Sequence, residues 1–187
     1  MINALNNVGI FLIEVLCTIF LYAVLLRFFL QWVKADFYNP LSQLVMRITN
    51  PLLKPLRRLI PGFFGLDIAS VVLAYIVALI QLILIAILIS GFLNISWQSI
   101  VFIAVIKLFL TAINLYIWLI ILRAITSWFT QGTYNPVITA LYQLTEPLLQ
   151  KVRKILPPTK SGFDFSPIVI VVIFICIQIF ISSVIPL

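Results

Sequence analysis

Five polar side chains interrupt stretches of the sequence that are otherwise almost entirely apolar. They are one acid, one base and three carboxamides, namely Glu14, Lys107, Gln81, Gln178 and Asn114. An ionisable group in hydrocarbon costs at least about 2.5–3.5 kcal/mol, which makes each such residue a functional candidate by default. An acid and a base could relay protons or line an ion path, whereas amides could join helices by hydrogen bonds.

Four further charges lie where these apolar stretches begin or end. Arg27 and Arg123 close the first and third stretches, and Asp67 and Asp164 open the second and fourth. Each arginine ends one predicted helix at the depth where an aspartate begins the next. We therefore predict two ion pairs at this boundary, Arg27 with Asp67 and Arg123 with Asp164.

Helical rise places four of the five polar residues at one depth. Glu14, Lys107, Gln81 and Gln178 are each 13 to 16 residues from a boundary charge, or about 20–24 Å along a helix. Asn114 lies closer to the boundary. We predict an ion pair between Glu14 and Lys107, with Gln81 or Gln178 adding hydrogen bonds. This polar layer could hold helices together, could form a path for ions or protons, or could consist of groups that reach separately toward water.

The residue types that most enzymes use are scarce. The chain has no histidine, only five acids, and two cysteines, Cys17 and Cys176, that both lie within apolar stretches. Nitrogen and sulfur metal ligands are therefore missing, and no glycine-rich phosphate loop is present. We predict a protein that is not an enzyme and that holds no cofactor or metal.

The elements that position these residues are four apolar stretches. Of the 187 residues, 64% are hydrophobic and 9% are charged, far from the roughly 45–50% and about 25% of soluble domains. Each stretch has about the 20 residues needed to cross hydrocarbon as a helix. The predicted transmembrane helices cover residues 8–33, 68–93, 100–129 and 168–187.

The sequence repeats itself at an offset of 96 residues. Each repeat consists of a span, a basic loop and a span, so both repeats have the same orientation in the membrane. The first repeat is predicted to cover residues 1–93 with its loop at 37–62, and the second 94–187 with its loop at 133–158. Residues that recur at this offset are Arg27, Trp32, Tyr38, Asn39, Pro40, Thr49, Pro51, Leu52, Leu53, Arg57 and Pro61.

The basic loops are predicted to form amphipathic helices. Asn39 and Asn135 precede Pro40 and Pro136, an arrangement that favours an asparagine cap followed by proline at the first helical position. A second break at Pro51 is predicted to start another short helix. Such helices lie in the interface with cations toward anionic headgroups, or else dock a partner protein. The cations are Lys54, Arg57, Arg58, Lys151, Arg153 and Lys154.

Positive charge also predicts the orientation. Both interhelical loops that carry Lys and Arg should face the cytoplasm, with both termini and the uncharged turn at Gly91–Ser99 outside. Because these charges adjoin membrane spans, anionic lipids of the inner leaflet are the expected partners and nucleic acid is not.

The paired pattern RFFLQWV, YNP, TNPLLKPLRRLIP and RAITSWF, YNP, TEPLLQKVRKILP resembles the YggT family of bacterial inner-membrane proteins. The resemblance covers nearly the whole chain and extends to the YlmG group of cyanobacteria and plastids. It implies a multi-pass, non-enzymatic membrane protein. Members of the family have been linked to osmotic tolerance with potassium uptake, to cell division or nucleoid partition, and to cytochrome assembly in plastids.

We therefore expect an all-α inner-membrane protein with four transmembrane helices in two parallel repeats. Its expected role is that of an assembly factor, scaffold or modulator in envelope or osmotic and ion homeostasis. The alternative is an oligomeric, potassium-related ion channel or carrier component. A second copy of the chain and another membrane protein both remain open as partners.

Overall fold

The computed structural model describes residues 2–60, 62, 66–90, 97–129, 135–157 and 164–185. These residues form six helices, four of them long and two shorter. The helices are α1 (Ile2–Trp32), α2 (Pro40–Leu59), α3 (Ile68–Ser90), α4 (Trp97–Phe129), α5 (Pro136–Arg153) and α6 (Ser166–Val184).

Four of the helices, α1, α3, α4 and α6, are long and apolar enough to cross a membrane. The shortest, α6, has 19 residues and is about 28 Å long, close to the thickness of the hydrocarbon core. The prediction of an all-α membrane protein with four transmembrane helices is thus confirmed. Residues 91–96 of the predicted turn at Gly91–Ser99, and the ends of two predicted spans at 91–93 and 186–187, lie outside the described residues. The last three residues of that turn, 97–99, belong to α4.

Packing divides the chain into two compact units. The first comprises Met1–Phe28 and Val45–Ala112, and its buried residues include Leu21, Leu53 and Ala78. The second comprises Phe29–Leu44 and Ile113–Leu187. In that unit Ile120, Leu149 and Ile170 form a buried cluster of side chains from α4, α5 and α6, so α5 is held by the two spans it connects. Packed around this cluster are Leu148, Val152, Val171 and Phe174.

The predicted helix break at Pro51 is wrong. Helix α2 continues through Pro51 and Pro55, and α5 continues through Pro147. An interior proline removes one backbone hydrogen bond and crowds the preceding turn, at a cost of about 3 kcal/mol or more. Contacts from a neighbouring helix offset this cost, because Arg27 donates to the side chain of Thr49 in the turn directly before Pro51. Each amphipathic region is therefore one helix.

Candidate functional site

A buried arginine anchors α2 in the first repeat. Arg27, near the end of α1, is only 6% exposed. Its Nη1 donates to Thr49 Oγ1 at 2.6 Å and to Asn50 Oδ1 at 2.8 Å. The Thr49 hydroxyl in turn donates to the carbonyl of Val45 at 2.7 Å. The Thr49 hydroxyl thus accepts a hydrogen bond from Arg27 and donates one to a carbonyl of its own helix. These two bonds fix the rotamer of the Thr49 side chain.

A second arginine of the same repeat holds Asp67. Arg57 Nε donates to Asp67 Oδ1 at 3.3 Å, and Arg57 Nη2 contacts Oδ2, to which Ser70 Oγ also donates at 2.5 Å. Arg27 Nε is 4.0 Å from the same Oδ2. Burial alone would raise the pKa of the Asp67 carboxyl, but the bonds from Arg57 and Ser70 and the nearby arginine charges hold that pKa below its ordinary value. We call Arg27, Thr49, Asn50, Arg57 and Asp67 the first arginine cluster.

The second repeat builds the same arrangement around Arg123. Its Nη1 donates to Thr145 Oγ1 at 2.9 Å, and its Nη2 contacts Glu146 Oε2. The Thr145 hydroxyl donates to the carbonyl of Leu141 at 2.8 Å. The Arg123 guanidinium carbon also lies 4.2 Å from the centre of the Tyr142 ring, within the range of a cation–π interaction. Arg123 therefore anchors α5 as Arg27 anchors α2.

A carboxylate bridge distinguishes the second cluster. Glu146 Oε1 accepts from Arg153 Nη1 at 2.8 Å while Oε2 contacts Arg123, so one carboxylate joins two arginines. Arg153 also donates to Asp164 Oδ2 from Nε at 2.8 Å and from Nη2 at 2.7 Å. We call Arg123, Thr145, Glu146, Arg153 and Asp164 the second arginine cluster.

Burial, hydrogen bonds and neighbouring charges shift the pKa values of Glu146, Asp164 and Arg153 in the second cluster. Partial burial would raise the pKa of Glu146, but its bonds to Arg123 and the charge of Arg153 hold that pKa below the ordinary value. Burial would likewise raise the pKa of Asp164, and bonds from Ser166 and Arg153 lower it overall. Burial acts to lower the pKa of Arg153, yet Asp164 and Glu146 raise it overall. Both carboxylates and Arg153 are thus charged at neutral pH.

The boundary ion pairs differ from the prediction in the second repeat. The expected partner of Arg123 was Asp164, but the structure pairs Arg123 with Glu146 and Asp164 with Arg153. The reason is Glu146 of α5, whose carboxylate pairs with Arg123 in place of Asp164. In the first repeat the equivalent Asn50 is neutral, and Arg27 remains 4.0 Å from Asp67.

The signal for both clusters was present in the repeat. Thr49 and Pro51 recur as Thr145 and Pro147 at the same positions of the two amphipathic segments. In both repeats a threonine lies two residues before a proline, and an arginine recurs in the preceding span. This combination is the pattern that indicates the contact. Arg57 and Arg153, which are predicted to bind headgroups, hold the aspartates.

The predicted pair of Glu14 and Lys107 is not formed. The ion pairs within 4.0 Å in the described part of the chain join four arginines to Asp67, Glu146 and Asp164. Lys107 is half-buried and interacts electrostatically with Glu14 beyond ion-pair distance. The Glu14 side chain is exposed. The described side chains of α1 before Leu21 include none that is buried, so equal depth did not bring the carboxylate into contact.

The other polar-layer residues differ in burial. Gln81 is buried, and its Nε2 lies 3.4 Å from the Glu14 carbonyl and 3.4 Å from Thr18 Oγ1. These contacts join α3 to α1 through backbone and hydroxyl groups. Gln178 is half-buried, and Asn114 is exposed.

The two Asn-Pro pairs begin the amphipathic helices. Asn39 Oδ1 accepts the N–H of Leu41, and Asn135 Oδ1 accepts that of Val137, each at 2.9 Å. The prolines that follow the two asparagines are the first residues of α2 and α5. The Asn39 amide also donates to the carbonyl of Pro136, whereas Asn135 is exposed. The first asparagine therefore has a structural role beyond capping.

Helix α2 presents two exposed stripes beside its buried face. Large apolar residues recur on one stripe and polar or cationic residues on the next, at spacings of three, four or seven that place each set on one side of a helix. The apolar stripe consists of Leu44, Ile48, Leu52 and Leu59, and the cationic stripe of Gln43, Arg47, Pro51, Lys54 and Arg58. This surface is the one an interfacial helix presents to a membrane. In the second repeat, Lys151 and Lys154 are likewise exposed.

We expect acid to weaken the second cluster more than the first. The pKa values of Glu146 and Asp164 are held below their ordinary values, so their stabilisation is present at neutral pH and is lost as pH falls below about 4. Glu146→Gln should unfold at a lower temperature than the wild type at pH 7, yet lose less stability between pH 5 and 3. Thermal unfolding in lipid nanodiscs measures both. Asp36→Asn is the control, because Asp36 joins no ion pair among the described residues. Equal acid losses in Glu146→Gln and the wild type would contradict the assignment.

Comparison with known proteins agrees with the repeat. The profile of the CCB3/YggT family matches residues 6–88 and again residues 102–185. A protein of Pseudomonas aeruginosa named PA0392 is 43% identical over 170 residues, which cover 88% of this chain and 83% of that protein. YggT of Escherichia coli K12 is 36% identical over 179 residues, covering 95% of this chain and 91% of YggT. A protein of Haemophilus influenzae is 33% identical over 158 residues, which cover 84% of this chain and 82% of that protein. No solved structure matches. The chain belongs to the CCB3/YggT family of membrane proteins.

Proposed function

We propose that the protein is a non-enzymatic scaffold, assembly factor or modulator of the inner membrane that serves envelope or osmotic and ion homeostasis. In this proposal the basic loops face the cytoplasm, both termini face outward, and α2 and α5 lie against anionic lipids of the inner leaflet. A homo-oligomer or another membrane protein would bind the same surface.

The observation that carries the proposal is the anchored, amphipathic surface of α2. Arg27 fixes the helix from its buried side, while an apolar stripe and a cationic stripe remain exposed side by side. A helix that is rigidly oriented and exposed on two chemically different faces can bind lipid and a partner at once. The charged side chains of each cluster form ion pairs with one another. These pairs support a structural role for the clusters over a catalytic one.

The alternative is an oligomeric, potassium-related channel or carrier component. It is favoured by the polar groups at span depth in the first unit, where Gln81 is buried and Lys107 feels the charge of Glu14. A path lined by these groups would need further subunits, since four spans rarely enclose a pore alone. The two functions depend on different residues, so substitution separates them.

The test compares two sets of substitutions in a strain that lacks the gene. Neutralising the exposed cations with Lys54→Gln, Arg58→Gln, Lys151→Gln and Lys154→Gln should abolish most of the rescue of growth after osmotic upshift. The polar-layer set, Glu14→Gln with Lys107→Met, should retain it. Membrane abundance of each variant, measured by immunoblot, is the control.

A flux measurement completes the test. Purified protein in proteoliposomes should give no potassium flux above that of empty vesicles. Flux that falls at least tenfold in the Glu14→Gln, Lys107→Met variant, together with full rescue by the cation-neutralised set, would establish the conducting alternative and overturn the scaffold.

A further inference from the structure

We propose that a groove between α4 and α6 holds one acyl chain of a membrane phospholipid. The groove has a volume of about 240 Å³, and all of its lining residues belong to the second compact unit. These residues are Ile120, Ile121, Ala124 and Ile125 of α4 and Pro167, Ile168, Val171 and Val172 of α6. The inference goes beyond the proposed function, because a scaffold and a channel could both carry such a site.

The groove lies near one end of two membrane spans. Its residues on α4 precede the last residue of that helix by four to nine positions, and its residues on α6 are among the first seven, so the groove is within about 14 Å of the helix ends. Because α6 is about as long as the hydrocarbon core is thick, acyl chains begin at this depth. The rim is open, since Ile125, Ile168 and Val172 are 45%, 60% and 52% exposed. A lipid chain can therefore enter the groove from the bilayer.

The lining of the groove disfavours a peptide as its occupant. Apolar atoms alone line it, so a peptide strand would bury N–H and C=O groups there without hydrogen-bond partners. A helix satisfies its own backbone but is too wide. The volume spread over the roughly 7.5 Å that five residue steps span gives a mean cross-section of about 30 Å², against roughly 80 Å² for a helix 10 Å across. A hydrocarbon chain is narrow and needs no polar partner.

Shape would retain the chain, since apolarity alone cannot. Lipid tails are as apolar as the groove, so moving a chain from the bilayer into the groove gains no hydrophobic free energy. A chain that fills the groove instead gains close dispersion contacts with the side chains on both helices. An apolar cavity of roughly 150 Å³ already binds benzene. The volume of about 240 Å³ therefore accommodates a longer hydrocarbon segment.

The first repeat carries different residues at the equivalent positions. Ala124 corresponds to Phe28 at the offset of 96, and Val171 corresponds to Ala74 at an offset of 97. Ala74 is fully buried, as expected of a small residue where helices approach closely. Larger side chains such as Val171 hold helix axes farther apart, and Ala124 does not fill the space that a phenyl ring would take. The sequence thus accounts for a groove in the second repeat.

Filling the groove tests the proposal. Delipidated protein in detergent is titrated with palmitoyl-oleoyl phosphatidylglycerol, and bound lipid is counted by native mass spectrometry. Ala124→Phe, which gives α4 the ring that the first repeat has, should lower the affinity for the first retained lipid at least about fivefold. Leu122→Phe adds the same ring at an exposed position of α4 outside the groove and should bind lipid as the wild type does. If Ala124→Phe does not fold, Val172→Phe, which fills the groove from its exposed rim, takes its place.

A photoreactive lipid locates the chain. Phosphatidylglycerol with a diazirine on one acyl chain is bound to the protein and irradiated, and the cross-linked peptides are identified by mass spectrometry. Cross-links should concentrate in residues 120–125 and 167–172 of the wild type and be lost there in the groove-filling variant. Equal lipid affinity of the wild type and a folded groove-filling variant would overturn the proposal, and so would cross-links spread evenly over the four spans. A wild-type dimer that Ala124→Phe dissociates would also overturn it, because a second copy would then occupy the groove.

Discussion

Asp67→Asn is expected to destabilise the protein by about 3–5 kcal/mol, which is the usual cost of removing one partner from a buried ion pair. Asp67 is 5% exposed and is the one carboxylate that faces Arg27 and Arg57 in the described structure. The substitution leaves two repelling arginines without a counter-ion. For a protein of this size the unfolding temperature should fall by roughly 10 °C.

The matched substitution in the second repeat should cost less. Asp164→Asn removes the bonds from Arg153, but Glu146 still pairs with both arginines of that cluster. We expect a loss of about 1.5–3 kcal/mol, the range for hydrogen bonds that involve charged groups. Thermal unfolding of the two variants in nanodiscs of one composition makes the comparison. A greater loss for Asp164→Asn than for Asp67→Asn would contradict the charge balance described for the clusters.

Arg123→Met is the second substitution with a large expected effect. Arg123 is 7% exposed. Without it Glu146 loses an ion-pair partner, the Thr145 hydroxyl loses the hydrogen bond it accepts, and the Tyr142 ring loses a cation–π contact. Breaking this buried pair should cost about 3–5 kcal/mol. Arg123→Lys should recover only part of the loss, because an ammonium group cannot contact two acceptors through a planar fork.

A double-mutant cycle separates the pair from the other contacts. Arg123→Met leaves Arg153 facing two carboxylates, whereas removing both charges with Arg123→Met and Glu146→Met restores the charge balance and should be more stable than Arg123→Met alone. The measurement is the unfolding midpoint of the four proteins in one detergent. Strictly additive effects would show that the two side chains do not interact.

Composition and periodicity were sufficient to predict the spans. Bilayer thickness requires about 20 apolar residues, and few sequences meet this requirement by accident. The predicted helices at 8–33, 68–93 and 100–129 therefore lie close to α1, α3 and α4. The Asn-Pro starts of α2 and α5 were predictable for a related reason, since proline restricts the residue before it in any context.

The partners of the charged residues could not be predicted in the same way. Depth along a helix follows from residue count, but contact also requires that two side chains lie on facing sides and that no nearer partner competes. Glu14 fails the first condition because it is exposed on α1, and Asp164 fails the second because Arg153 holds it. Helix α2 passes through Pro51 because a tertiary contact outweighs a local preference, which local sequence cannot show.

Hydrogen exchange tests most directly the central claim that a buried arginine holds each amphipathic helix to a span. Amide exchange is measured by mass spectrometry in nanodiscs for the wild type and Arg123→Met. We predict that residues 141–150 of α5 exchange at least tenfold faster in Arg123→Met, because the side chains of Thr145 and Glu146 lose their anchor. Residues 170–180 of α6, whose backbone bonds lie within a span, should exchange as in the wild type. Unchanged exchange over 141–150 in a folded variant would contradict the account.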